Sequence, residues 1–114
     1  MLYDHIKERM LAHPAQTIGD ERRVMTYREL LEEAERMGRG LDRAKYGILC
    51  RSELDTARAL LACFFAGKTA VPLSYRYGDS HTRKIIAGMR LSHLLTDKGV
   101  EEAAPVGPEP EDLT

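Results

Sequence analysis

One stretch narrows the folds open to this chain: Ala57-Arg58-Ala59-Leu60-Leu61-Ala62-Cys63-Phe64-Phe65-Ala66-Gly67-Lys68-Thr69-Ala70-Val71-Pro72-Leu73. From Ala59 to Ala66 it is apolar on nearly every helical face, and a helix clad in this way has to be covered on most sides. Gly67 is the natural stop, because glycine adopts the left-handed conformation that ends helices without steric cost. Thr69-Ala70-Val71-Pro72-Leu73 reads as a short buried strand, with Pro72 near its end, where a missing N–H matters least.

The same alternation surrounds this stretch. Lys45-Tyr46-Gly47-Ile48-Leu49-Cys50 suits a strand. Ser52 caps the buried helix, with Glu53 and Asp55 where the helix dipole favours acids. After the loop Tyr75-Arg76-Tyr77-Gly78, Asp79 or Ser80 starts a helix through about Arg90, with Ile85, Ile86 and Met89 turned inward. Ser92-His93-Leu94-Leu95-Thr96 forms the third strand. Strand, helix, strand, helix, strand over about residues 46–96 predicts right-handed βαβ crossovers and a short parallel sheet. The expected fold class is α/β, a partial three-layer αβα arrangement. Three strands leave an exposed edge, which favours a homodimer.

The preceding residues predict an N-terminal helix, a small β-hairpin and a second helix. Leu2, Ile6, Met10 and Leu11 recur at helical spacing, and the helix ends before Pro14. Gln16-Thr17-Ile18-Gly19 and Arg23-Val24-Met25 flank the polar turn Asp20-Glu21-Arg22. Thr26-Tyr27-Arg28-Glu29 is a capping box. The helix it opens carries Tyr27, Leu30, Leu31, Ala34, Met37 and Leu41 on one face; Gly38 and Gly40 permit close packing or mark its end.

Residues 98–114 turn acidic and proline-rich, with Pro105, Pro108 and Pro110, a composition that reads as a tail or linker. The net charge of −1 is spread over interspersed acids and bases. That balance argues against nucleic acid and against an anionic membrane surface as partners. No apolar run approaches the roughly 20 residues that span a bilayer, and the N-terminus lacks a signal-peptide core. The expected location is cytoplasmic, with Cys50 and Cys63 reduced and buried.

Chemistry-bearing motifs are absent. The sequence has no G-x-G-x-x-G, no G-x-x-x-x-G-K-[ST], no H-E-x-x-H and no C-x-x-C. His5, His13, His81 and His93 fall in separate elements without ligand spacing, so no metal ligand is assigned. Ser52 is explained by capping, and no catalytic residue is assigned. Arg76 is the one candidate for binding a cofactor or ligand, because it follows a predicted strand at the carboxyl edge of an open sheet, where α/β proteins bind ligands.

Two segments carry a family resemblance. Met25-Thr26-Tyr27-Arg28-Glu29-Leu30 resembles L-T-Y-x-E-L, the first core motif of the adenylate-forming superfamily of acyl- and aryl-CoA synthetases, luciferases and peptide-synthetase adenylation domains. Leu60 to Leu73 resembles the second motif, L-K-A-G-x-x-x-V-P-L. His13-Pro14-Ala15 before them and Leu94-Leu95-Thr96-Asp97 after them also fit, so the likeness spans about residues 2–97. Phe65 stands where lysine is usual, and Ala44-Lys45-Tyr46-Gly47 shortens the usual G-D-x-V segment. Ser74-Tyr75-Arg76 is closer to the N-x-R pattern of acyl-CoA synthetases than to the D-P of peptide synthetases.

The resemblance implies that residues 1–97 form an N-terminal subdomain fragment of an ATP-dependent ligase, with residues 98–114 as the tail. The full enzyme would use ATP and Mg to turn a carboxylic acid into an acyl-adenylate. It would then pass the acyl group to coenzyme A or a carrier-protein thiol. The phosphate loop, the Mg-ATP acid, the hinge and the C-terminal lysine of that family have no counterpart between Met1 and Thr114. The chain is therefore expected to bind no cofactor itself, to be inactive alone, and to partner the remainder of the enzyme. The alternative is a stand-alone small α/β module in protein–protein interaction.

Overall fold

In the computed structural model, which describes residues 2–74 and 78–103, the predicted order of elements is realised and extended by one strand. The elements are α1 (Leu2–Leu11), β1 (Thr17–Gly19), β2 (Val24–Thr26), α2 (Tyr27–Arg39), β3 (Lys45–Ile48), α3 (Glu53–Ala66), β4 (Thr69–Pro72), α4 (Asp79–Gly88), β5 (His93–Thr96) and β6 (Gly99–Glu102). β1 and β2 form the expected antiparallel hairpin, and the main sheet has the order β4-β3-β5-β6. β3 pairs parallel with β4 and with β5, as the alternation predicts.

The connection from β3 to β4 steps one way across the sheet, and the connection from β4 to β5 steps back past β3. Right-handed crossovers in opposite directions place α3 and α4 on opposite faces. On the first face Tyr46, Ile48 and Leu95 form a core with Ala59, Ala62, Cys63 and Leu41. On the second face Gly47 lies so close to Leu94, Leu73 and Leu91 that an added Cβ would come 2.6 Å from the Leu94 side chain.

The buried helix α3 is held as its sequence predicts. Ser52 Oγ accepts from the Asp55 N–H at its start. Gly67 ends it at φ 71°, and the Lys68 N–H returns to the Cys63 carbonyl. The capping box of α2 is present in both halves: Glu29 N–H to Thr26 Oγ1, and Thr26 N–H to the Glu29 carboxylate. α2 lies along α3, and Gly38 makes the approach close. A Cβ there would sit 2.7 Å from the Phe65 ring and 2.9 Å from the Ala62 carbonyl oxygen. Of the two glycines flagged in the sequence, Gly38 serves packing and Gly40 is the C-cap.

Several expectations are corrected, among them Met89, which is 41% exposed rather than turned inward. The inward face of α1 is Tyr3, Ile6 and Met10, whereas Leu2 is 63% exposed and Leu11 39% exposed. Tyr3 takes this role because its ring meets Phe65 edge-on and its hydroxyl donates to Glu35 at 2.6 Å. α4 is capped by the backbone of Gly78 rather than by Asp79 or Ser80, and it ends at Gly88. Arg90 then occupies the left-handed position at φ 56°, and the Leu91 N–H closes the turn on the Ile86 carbonyl. The sheet is mixed rather than purely parallel. Gly99–Glu102, assigned from sequence to the tail, instead pairs antiparallel with β5 as β6. The turn works because Gly99 accepts φ 110° directly after Asp97-Lys98. The rest of the acidic, proline-rich segment, from residue 104, lies outside the described residues.

Candidate functional site

Open α/β sheets bind ligands outside the carboxyl ends of their strands, where crossovers diverge to opposite faces. Here that point lies between β3 and β5. The Arg51 N–H donates to Asp97 Oδ1 at 2.9 Å, joining the segments that leave the two strands. A cleft of about 430 Å³ opens there, lined by Arg22, Arg23, Ser52, Asp55, Arg58 and Asp97. Beside it a hollow of about 410 Å³ is lined by Cys50, Arg51, Ser52, Glu53, Thr56, Leu73 and Ser74. Arg76, the ligand candidate from sequence, lies two residues beyond Ser74 and outside the described residues.

The polar groups of the cleft are largely committed to one another. Asp55 accepts from Arg23 Nη2 at 2.5 Å, from Arg58 Nη2 at 3.0 Å and from Ser52 Oγ at 2.9 Å. Arg58 also donates from Nη1 to Glu33 on α2 at 3.0 Å. Its Nε is buried without a hydrogen bond, since both fork nitrogens are already drawn to carboxylates. Asp20 accepts from the N–H groups of Arg22, Arg23 and Leu54, so it closes the hairpin turn and caps α3 together. Those backbone bonds, led by the one from Arg22, draw its carboxyl down to about 2.

What this arrangement does is lock three segments. The hairpin and the start of α3 meet at Asp55, α2 joins through Glu33 and Arg58, and the Arg23 and Arg58 guanidinium groups are paired with Asp55 and Glu33. In the sequence Asp55 reads as a helix-dipole acid, and its partners Arg23 and Arg58 emerge only in the fold. The Asp55–Arg58 spacing of three residues on one helix was the local signal for half of that network.

Ser52, Cys50 and Cys63 are not activated as nucleophiles in this arrangement. Ser52 Oγ is held by Asp55 at both ends of its hydrogen-bonding capacity. Burial raises the Cys50 thiol to about 11, helped by Asp97 and Asp55, and burial raises Cys63 to about 11 as well. Both therefore stay protonated thiols at neutral pH, and they are unbridged. The histidines stay apart; His93 meets Tyr46 edge-on and shares a hydrogen bond with Ser92. Among the described residues no group of three or more His, Cys, Asp or Glu is placed to hold a metal.

The strand order and two-sided crossovers put this chain with the doubly wound α/β proteins. It belongs to the family described as AMP-binding enzyme, whose sequence profile matches residues 4–113. Solved structures it is similar to include the fatty acid AMP ligase from Legionella pneumophila, at 23% identity and TM-score 0.65, with 83% of this chain and 19% of that one covered. CmiS6 is 25% identical with a TM-score of 0.70, over 91% of this chain and 30% of that one. The N-terminal subdomain of NpsA from Klebsiella oxytoca is 19% identical with a TM-score of 0.69, over 92% of this chain and 29% of that one. The chain thus spans less than a third of the length of each of these structures.

Proposed function

We propose that this chain is the N-terminal structural segment of an ATP-dependent adenylate-forming ligase of acyl- or aryl-CoA-synthetase type, and that it is inactive alone. The complete enzyme joins a carboxylic acid to AMP with release of pyrophosphate, then passes the acyl group to coenzyme A or a carrier-protein thiol. The observation that carries this reading is the match of the AMP-binding enzyme family over residues 4–113; the ion pairs of the cleft support inactivity of the segment alone. Phosphoryl chemistry needs cations and backbone amides aimed at developing charge. Here Arg23 and Arg58 are turned inward to Asp55 and Glu33, and the first amides of α3 are taken by Asp20 and Ser52. ATP and Mg belong, in this reading, to parts of the ligase other than this segment.

A cytoplasmic location fits two unbridged, protonated cysteines. Among the described residues no helix is long and apolar enough to cross a membrane. The native gene tests the reading. Downstream of Thr114 the reading frame is expected to encode a Ser/Thr/Gly-rich phosphate loop resembling S-G-T-T-G-x-P-K. A stop codon directly after Thr114 would contradict the segment assignment and favour the stand-alone module.

A further inference from the structure

The N-terminal helix α1 has a narrow apolar hold: Tyr3 is buried, Ile6 and Met10 are partly covered, and Leu2 and Leu11 face outward. Its polar attachment converges on one carboxylate. Glu35 of α2, 15% exposed, accepts from the Tyr3 hydroxyl at 2.6 Å and pairs with Lys7 at 2.8 Å, both on α1. On its own helix Glu35 also pairs with Arg39 at 3.8 Å. Arg39 lies over the Phe65 ring of α3, 5.8 Å from its centre, and the same ring meets Tyr3 edge-on at 5.4 Å. One carboxylate thus joins the hold of α1 on α2 to its hold on α3.

The chain after α1 is fixed separately. The Pro14 carbonyl accepts from the Arg28 N–H and the Gln16 carbonyl from the Tyr27 N–H, so this segment is bonded to the start of α2. Just before it, the Ala12 and His13 N–H groups bond back to Glu8 and Met10 of α1 itself. Residues 11–13 are therefore the joint between the helix and a fixed segment. The hairpin is tied to α3 through Asp20 with the Leu54 N–H and Arg23 with Asp55, and α2 is tied to α3 through Glu33 with Arg58. None of these ties passes through α1.

We propose that α1 is a strap that opens as a unit at residues 11–13, with Glu35 as its clasp, while the hairpin, α2, α3 and the main sheet stay folded. A helix of 10 residues does not persist alone in water, so α1 unwinds once it is released. Opening uncovers the Phe65 ring and part of the core formed by Met25, Leu30, Leu31, Ala34, Leu54 and Leu61. That apolar surface drives the strap closed again. The closed form therefore dominates, and the open form is reached at a lower free energy than global unfolding.

Native-state hydrogen exchange of the purified chain, read amide by amide at neutral pH, tests this. In the wild type the amides of residues 6–11 are expected to be protected, yet to exchange more than about tenfold faster than those of β3. Their exchange should also depend more weakly on urea, because opening the strap exposes less surface. Glu35→Gln, which loses the ion pairs, is expected to raise α1 exchange about tenfold, and Tyr3→Phe, which keeps the ring, about threefold. Glu32→Gln, at an exposed position of the same helix, should leave it unchanged. Tyr46→Phe weakens a core that the closed and open forms share, so it should speed exchange in β3 and leave α1 as it was. Wild-type α1 amides with the rate and urea dependence of β3, or with no protection, would overturn the proposal. So would a Glu35→Gln variant with unchanged α1 exchange, or a Tyr46→Phe variant that speeds α1 and β3 alike. These readouts are independent of catalysis and of the ligase reading.

Discussion

Replacing Tyr46 by alanine is expected to lower the unfolding free energy by about 4 kcal/mol, enough to leave the chain close to unfolded at room temperature. Tyr46 is completely buried and sits on β3 at the centre of the sheet. Its ring fills the core formed with Leu41, Ile48, Ala59, Ala62, Cys63 and Leu95. Its hydroxyl accepts the N–H groups of Asp42 at 2.9 Å and Arg43 at 3.0 Å, so it also closes the loop between α2 and β3. Truncation removes both functions. Tyr46→Phe separates them: it keeps the ring and should cost only about 1 kcal/mol, because Asp42 and Arg43 are exposed and water can replace the lost acceptor. Urea unfolding followed by circular dichroism measures both. A cost below about 2 kcal/mol for Tyr46→Ala would show that the core relaxes around the hole and that β3 is not its anchor.

The second large effect concerns charge. Asp55→Ala is expected to cost about 3 kcal/mol, by removing the shared acceptor of Arg23 and Arg58 and leaving guanidinium groups facing one another. The lower end of the range for a broken buried pair applies. The Arg23 side chain is 43% exposed and can rehydrate, while Arg58, at 16%, keeps Glu33. Asp55→Asn retains an acceptor oxygen of similar shape and should cost roughly half as much. The same urea series decides the matter. If Asp55→Ala costs less than about 1 kcal/mol, the network contributes little, and the cleft's arginines are free for another role.

How much of this was legible in the sequence depended on range. The buried helix and its Gly67 stop are local signals, and each appears where the residues place it; the following strand is also in place, but as an edge strand of the described sheet with no buried residue rather than a buried one. The capping box at Thr26 appears as well, because hydrogen bonds three residues apart need no tertiary information. The parallel pairing of β3 with β4 and with β5 followed from alternation, whereas the order β4-β3-β5 did not. The failures were of another kind. Leu2 looked like a core residue by hydropathy, but Tyr3 won the inward position because Phe65 and Glu35 offered its ring and hydroxyl partners from distant elements. β6 was hidden because composition was read over residues 98–114 as a block, and a four-residue strand beside prolines and acids does not change an average. The Lys98-Gly99 turn was its only local mark. The Asp55 network was missed because Arg23 and Glu33 lie on other elements, and no spacing rule connects them to it.

The candidate site was legible only as an absence of motifs. The structure adds that two arginines of the cleft at the carboxyl edge, Arg23 and Arg58, are paired with Asp55 and Glu33. In the function proposed above, the chain is a scaffold that supplies a sheet and two covering helices to a ligase whose reacting groups lie elsewhere. The most direct test is ATP–pyrophosphate exchange, run with the purified chain, Mg and a panel of aliphatic, aryl and amino carboxylic acids. The account predicts no exchange above the protein-free blank with any acid. Acid-dependent exchange by this chain alone would contradict it, and would mean that the groups between Met1 and Thr114 suffice for adenylation.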